Sequence, residues 1–369
     1  MPFNPQTITI YSVGLLGGSI GAALKKSGFK GKIIGLSSPK SVATSLELDI
    51  IDEGHTYDAL PEVIRRTDLL ILCSPILAIL KTLEQLGNLE LPENLIITDV
   101  GSTKREIVNT AKLKIGSRAR FIGGHPMAGS EKSGPSASDP YLFQNALYVL
   151  TPPGDRPDGS DEEFATFLKK YLGCRTVFLD PAIHDSIAAT VSHLPHILAS
   201  ALVLAAGKKE AETAGTLSLA AGGFRDMTRI ASAPYDMWHD IFATNKSAIL
   251  PLLDSFLEIL TEMKASLIND SLRESFEKAR EIRNRIPLSS KGFIGTLSEI
   301  LIMAKDQPGF ISSVSTLLSE RQINIKDIEV LKVRENEGGT IRLAFDTPEI
   351  AREAISVLSQ NGFTARERN

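Results

Sequence analysis

Four short stretches of the chain carry side chains whose types and spacing suit chemistry. Gly123-Gly124-His125-Pro126-Met127-Ala128-Gly129-Ser130-Glu131 sets a histidine among glycines and a proline, on a loop with little apolar packing to do. A neutral imidazole there suits taking a proton near neutral pH; a structural histidine satisfied by backbone is the plainer alternative. In Asp99-Val100-Gly101-Ser102-Thr103-Lys104, Ser102 serves equally as a hydroxyl at a reaction centre or as the N-cap of a helix beginning at Thr103. In Ser192-His193-Leu194-Pro195-His196 the histidines share a helical face with Ala189 and Ser200, which suits a substrate hydrogen bond or core packing. The carboxylate or third imidazole that a metal would need is not evident nearby. Pro195 removes an amide donor and clashes with the Val191 carbonyl, so a bend is expected beside them. Gly222-Gly223-Phe224-Arg225-Asp226-Met227-Thr228-Arg229 puts Arg225 and Arg229 four apart, so in a helix both address one cavity. Their planar forks suit a carboxylate; a solvated face with Asp226 pairing locally is the alternative.

A fifth stretch suits binding. Ser12-Val13-Gly14-Leu15-Leu16-Gly17-Gly18-Ser19 follows the first apolar run and opens an amphipathic helix ending near Gly28. In that context Gly14 lets backbone approach a pyrophosphate, Gly17 permits close packing, and the first-turn amides point at the anion. A tight turn with no ligand is the alternative. Ser12 stands where the first glycine of G-x-G-x-x-G would be. About 20 residues past the last glycine, where an NAD site places an acid on the ribose, the chain reads Gly35-Leu36-Ser37-Ser38-Pro39-Lys40. Two hydroxyls and a lysine without a carboxylate would accept a 2′-phosphate, which leans the cofactor from NAD toward NADP; a helix cap at Ser37 and Ser38 is the other use for those hydroxyls.

Such residues need an edge to stand on. To about residue 180 the apolar runs ITIYSVG, KIIGL, DLLILC, NLIITDV, ARFIGG, ALYVL and RTVFL alternate with helix-length segments. That pattern predicts a parallel sheet buried on both faces, an α/β doubly wound Rossmann-type domain over 1–180, with the polar stretches at its carboxyl edge. From Asp180 the apolar residues Ile183, Ile187, Val191, Leu194, Leu198, Ala201 and Ala205 recur at steps of three and four. Helices follow over 181–286, with more apolar faces than a lone bundle needs, which suits a two-fold interface. RIPLSSKGFIG is a linker, and beyond it SEILIMAKD, a helix near 309–321, INIKDIEVLKV, GGTIRLAFD and a helix over 348–362 form a βαββα unit in 297–369.

Composition excludes several classes. The 369 residues, 43% apolar, suffice for two or three domains with real cores. The longest nearly unbroken apolar stretch, Ile197 to Ala206, is about half of the roughly 20 residues a bilayer span needs, and no basic-then-apolar leader opens the chain. With 40 basic and 44 acidic residues, net −4, nothing favours nucleic acid. Cys73 and Cys174 are too few for a disulfide framework or a thiolate zinc site, so a reduced, cytoplasmic protein without a metal is expected.

Together these segments resemble the prephenate dehydrogenase family of tyrosine biosynthesis, in the type with a C-terminal ACT domain. The matching pieces are Val13 to Ser19, Asp99 to Lys104, Gly123 to Glu131, Ser192 to His196 and Gly222 to Ile230, extended by Ala233 to Trp238, with Asp306-Gln307-Pro308-Gly309 and Ile323-Asn324-Ile325 in the tail. The resemblance implies a Rossmann domain, an all-α dimerisation and substrate domain, and a βαββαβ ferredoxin-like ACT domain. It implies oxidative decarboxylation of prephenate, with His125 as base toward the 4-hydroxyl and Ser102 orienting that hydroxyl and the nicotinamide. Arg229 would bind a carboxylate, His193 and then His196 would contact substrate, and Glu131, beside Ser130, would gate the pocket. Val13, Gly14, Leu15, Leu16, Gly17, Ser37, Ser38, Lys40, Ser74 and Pro75 would line the dinucleotide. Asp306, Pro308, Gly309, Asn324 and Ile325 would form an amino-acid pocket across a homodimer, with L-tyrosine as effector; an ACT domain kept for dimer stability alone is the alternative. Arogenate, bearing an amine for the keto group, is the nearest rival substrate. The HPMAG and SHLPH segments argue against homoserine or phosphoglycerate types, and the assembly of His125, Ser102 and Arg229 argues against a non-catalytic nucleotide-binding amino-acid sensor.

Overall fold

Short β-branched and leucine-rich runs, buried on both faces, pair into one sheet in the computed structural model, which describes residues 3–129, 132–154, 156–286, 297–304, 307–334 and 338–368. The strands are β1 (Thr7–Tyr11), β2 (Lys32–Leu36), β3 (Glu53–His55), β4 (Leu69–Leu72), β5 (Ile96–Asp99), β6 (Arg120–Pro126), β7 (Leu147–Thr151) and β8 (Arg175–Phe178), in the order β3-β2-β1-β4-β5-β6-β7-β8. Helices α1 (Leu15–Lys26), α2 (Pro39–Glu47), α3 (Leu60–Val63), α4 (Ile76–Leu86), α5 (Arg105–Lys114) and α6 (Gly159–Leu172) accompany them. Ile8, Ile10, Ile33 and Ile71 face one apolar layer with α1 and α6; Ile34, Leu36, Leu70 and Ile97 face the other with α4 and α5. The architecture is a doubly wound α/β domain.

Two details differ from the sequence expectation. The edge strand β3 is half-polar and three residues long, so no apolar run announced it. The sheet is also not wholly parallel: β7 runs antiparallel to β6. The described residues linking them contain turns and the short 3-10 segment Pro135–Ala137, without the crossover helix that a parallel return requires. After α6 the chain returns to parallel pairing in β8.

The same unit, Met1–Leu272, continues through α7 (Pro181–Ala188), α8 (Leu194–Glu212), α9 (Gly222–Thr228), α10 (Tyr235–Thr244) and α11 (Lys246–Ile268). Between α7 and α8 residues Ala189–His193 form a π-turn. Pro195 explains it, because widening the turn relieves the clash at Val191 and absorbs the lost donor. The chain thus runs on helically from Pro181 to Glu212, long and apolar enough to cross a bilayer, where the ten-residue count from Ile197 had understated it. Ile241 and Trp238 of α10 join the core beneath α4 and α5. Elsewhere large side chains stand bare: Leu204 is 71% exposed, Leu219 84% and Ile268 73%.

The second unit, Arg273–Asn369, holds α12 (Arg273–Asn284), β9 (Ser298–Ala304), α13 (Phe310–Glu320), β10 (Asp327–Arg334), β11 (Gly338–Phe345), α14 (Pro348–Gln360) and β12 (Ala365–Glu367). Its antiparallel pairs give the order β10-β11-β9-β12, and Ile300, Ile302, Leu318, Leu343 and Phe345 fill the core against α13 and α14. β12 completes a βαββαβ, ACT-type unit that the apolar runs alone had left one strand short.

Candidate functional site

Of the helices that begin at the carboxyl edge of the large sheet, α5, α4 and α1 are treated differently. At α5 the carboxylate of Asp185, from α7, accepts the amides of Lys104 at 2.7 Å and Arg105 at 2.9 Å. At α4 the carboxylate of Asp240, from α10, accepts the Leu77 amide at 3.0 Å. At α1 no side chain caps the first turn and no acid lies in it. A Cβ on Gly14 would meet nothing within 4 Å, whereas one on Gly17 would lie 2.5 Å from the Ser12 carbonyl oxygen. Gly17 is therefore required by packing, and Gly14 leaves the positive helix end open beside Val13, Leu15 and Leu16. That opening fits the pyrophosphate of a dinucleotide. Ser74, at the end of β4, keeps a buried hydroxyl with no partner among the described residues, and Pro75 precedes α4.

The two hydroxyls after β2 both accept from backbone amides, and the helix-cap use that the sequence offered as the alternative holds for Ser38. Ser38 caps α2 through the Ser41 amide at 3.3 Å, and the buried Ser37 hydroxyl accepts the Val13 amide at 3.2 Å. Both are taken by backbone donors that would otherwise be unpaired, which leaves Lys40 exposed on the first turn of α2.

His125 lies at the end of β6, beside β5. Its Nδ1 is 2.8 Å from Nε2 of His184, whose Nδ1 is 2.8 Å from Oδ1 of Asp185. A carboxylate only accepts, so Asp185 takes the Nδ1 proton of His184. In the tautomer with its proton on Nδ1, His184 offers Nε2 as an acceptor, and His125 donates from Nδ1. The unprotonated nitrogen of His125 is left as Nε2. Burial, then the neighbouring His184, Lys104 and His193, hold His125 well below the usual histidine range, so it is neutral at physiological pH and has an unprotonated ring nitrogen ready to accept. Behind it the buried Lys104 ammonium pairs with Asp99 and donates to the Gly124 carbonyl at 2.6 Å; Asp99 also accepts the amides of Gly101 at 2.8 Å and Gly124 at 3.1 Å. This knot fixes the ends of β5 and β6 against each other.

His193 and His196 come together on Trp238. The His196 ring stacks on the indole, centroids 3.8 Å apart, and His193 meets it edge-on. Asn245 donates one amide hydrogen to the Asp185 carbonyl at 2.8 Å and bonds Nδ1 of His193 at 3.1 Å, which puts the His193 proton on Nε2. Burial pushes His193 down to about 4 despite Asp185 nearby. His196 Nδ1 is buried without a partner among the described residues.

Other sequence candidates fall elsewhere. Ser102 is not a helix cap: α5 starts at Arg105, and Asp185, 81 residues from Lys104, does the capping. Arg229 is exposed where a 3-10 turn packs on α8, one step past the end of α9, and Arg225 is exposed within α9, so no continuous helix holds both. Ser130, Glu131 and Asp306 lie outside the described residues. In the second unit the exposed Pro308 and the left-handed Gly309 precede α13, whereas Asn324 and Ile325 follow it. Within one copy Ile325 lines a small apolar cavity together with Phe310 and Ile311, the first residues of α13. The sequence reading missed His184, Asp185 and Asn245, and singled out the stretch from Asp99 to Lys104 without giving those two residues a role. Adjacent ionisable residues in the otherwise apolar segment PAIHDSIA were the available signal.

A carboxyl edge that carries an uncapped helix start after β1 and a neutral, oriented imidazole at the end of β6 belongs to a Rossmann-type dehydrogenase. Residues 20–176 match the prephenate dehydrogenase nucleotide-binding domain, 180–280 the prephenate dehydrogenase dimerization domain and 298–355 the ACT domain. The chain belongs to the prephenate dehydrogenase family. It is 35% identical to prephenate dehydrogenase of Bacillus subtilis (strain 168), covering 95% of this chain and 94% of that one. Among solved structures it is similar to prephenate dehydrogenase from A. aeolicus in complex with hydroxyphenyl propionate and NAD+, with TM-score 0.69 and 32% identity over 76% of this chain and 96% of that one. Synechocystis arogenate dehydrogenase gives TM-score 0.66 and 29% identity over 76% and 99%.

Proposed function

We propose that this dehydrogenase converts prephenate to 4-hydroxyphenylpyruvate and CO2, and that His125 is its base. The observation that carries the reading is the chain from Asp185 through His184 to His125, which leaves Nε2 of a neutral imidazole to receive a hydroxyl proton. Nicotinamide, when bound, accepts a hydride from C4 of the substrate. His125 takes the 4-hydroxyl proton as the C4–H bond breaks and C4–O becomes a carbonyl. Loss of the ring carboxylate as CO2 sends its electron pair into the ring, and the resulting phenolate recovers a proton from His125. Aromatisation drives the sequence. Ser102, on the turn after β5, orients the hydroxyl; Arg229 holds one of the two substrate carboxylates, a task suited to a cation that cannot deprotonate. His193 and His196 line the substrate, and Glu131 with Ser130 guards the mouth.

In this reading residues 1–180 hold the dinucleotide, with NADP favoured over NAD by the missing ribose acid, and residues 181–286 supply substrate contacts and a homodimer face. The bare side chains of α8 and α11 support that face, as does the family match there. Residues 297–369 bind L-tyrosine between two copies, a reading supported by the match to the ACT domain. The enzyme works in the cytoplasm. Arogenate is the rival substrate, supported by the similarity to the Synechocystis protein.

One assay decides most of this. Reduced nicotinamide is followed at its absorbance maximum with prephenate or arogenate and with NAD or NADP. Turnover of prephenate is expected; reduction with arogenate alone would transfer the assignment, and none with either would remove it. Calorimetry of the full-length protein with L-tyrosine should give heat and altered kinetics; neither would leave the second unit a dimer support.

A further inference from the structure

The corner where the adenosine ribose of a dinucleotide would sit is built from hydroxyls contributed by three separate strand ends. Ser12 follows β1 with φ +75, a left-handed conformation costly for any residue with a side chain. The Tyr57 hydroxyl, from the 3-10 turn after β3, donates to Ser12 Oγ at 3.3 Å and lies 3.5 Å from Ser37 Oγ. The Tyr57 ring leans on Tyr11, centroids 4.9 Å apart. Ser37, directly after β2, occupies the place from which Rossmann folds usually present an acid to the ribose diol. Ser12 and Ser37 thus depart together from the usual glycine and acid, and Tyr57 bridges the two departures.

We infer that Tyr57, with Ser12 and Ser37, sets the choice between dinucleotides, and that this neutral corner admits a 2′-phosphate as well as a plain ribose. A carboxylate there accepts from ribose hydroxyls and repels phosphate. Hydroxyls both donate and accept, so they serve either ligand. Ser12 Oγ accepts from Tyr57 and keeps its own proton to give, whereas Ser37 Oγ accepts the Val13 amide and, with the one Tyr57 proton given to Ser12, donates to the Tyr57 oxygen across 3.5 Å, a long bond that a ligand oxygen can replace. The inference rests on the dinucleotide reading of the α1 loop and goes beyond it by naming what reads the ribose.

The test is calorimetric titration of the full-length protein with NAD and with NADP, without substrate. The wild type should bind both with Kd values within about tenfold. Ser37→Asp should weaken NADP by about 100-fold or more while keeping NAD. Tyr57→Phe keeps the ring against Tyr11 at a partly exposed position, and should weaken NADP by about 3–10-fold with less effect on NAD. NAD binding without NADP binding in the wild type, or an unchanged ratio in both variants, overturns the inference alone. Failure of both nucleotides to bind overturns it together with the reading beneath it.

Discussion

Nδ1 of His125 and Nε2 of His184 lie 2.8 Å apart, and the hydrogen bond between them decides which nitrogen of His125 is free. His125→Asn should leave dinucleotide affinity intact while kcat falls by about 10²–10⁴, the range for a lost base. His184→Asn should lower kcat by about 10² with a smaller change in KM, because the His125 imidazolium loses its acceptor and its orientation. The acid limb of kcat/KM should also move to higher pH, because His184 is one of the groups that hold His125 low. Steady-state kinetics from pH 5 to 9 check both, and normal kcat in the His184 variant would detach it from the mechanism.

Arg229 is expected to bind rather than to react. Arg229→Ala should raise KM for prephenate about tenfold or more and leave kcat close to its original value. Arg225→Ala, on a separate element, should do neither. Equal effects from the two arginines would favour a diffuse field over a clamp.

Lys104 and Asp99 form a fully buried pair. Lys104→Met strands the Asp99 carboxylate on two amides, a loss of about 3–5 kcal/mol for one partner of a buried pair. Urea unfolding followed by circular dichroism measures it; a loss below about 1 kcal/mol would mean that the carboxylate finds water or a proton at little cost.

Acid should weaken the fold through His193. Its folded value of about 4 lies below the unfolded one near 6.5, so between those pH values the unfolded chain binds the extra proton. Stability from this group is complete above about 6.5, declines as pH falls toward 4, and then levels. Thermal midpoints across that window should fall more steeply in the wild type than in His193→Gln; parallel slopes would show that other groups dominate.

What was legible in the sequence was what local patterning encodes. The apolar runs marked seven of the eight large-sheet strands, and the glycine turn after β1 marked the open helix start. Long-range pairings left no local trace. Asp185 caps a helix 80 residues away, and the proline-driven π-turn changed the register that places His193 and His196 on Trp238. Ser102 looked like a cap because its type suits one; the distant carboxylate had already filled that role.

Asp185 joins two jobs in one side chain, sealing the start of α5 and holding His184. Any rocking of α7 away from the sheet would break both at once, so the protein has no half-armed posture: seating of the helical part and readiness of the base are a single mechanical event. Amide exchange at Lys104 and Arg105 should therefore slow in step with the appearance of activity when the two parts are drawn together by ligand, and exchange indifferent to ligand would separate the events.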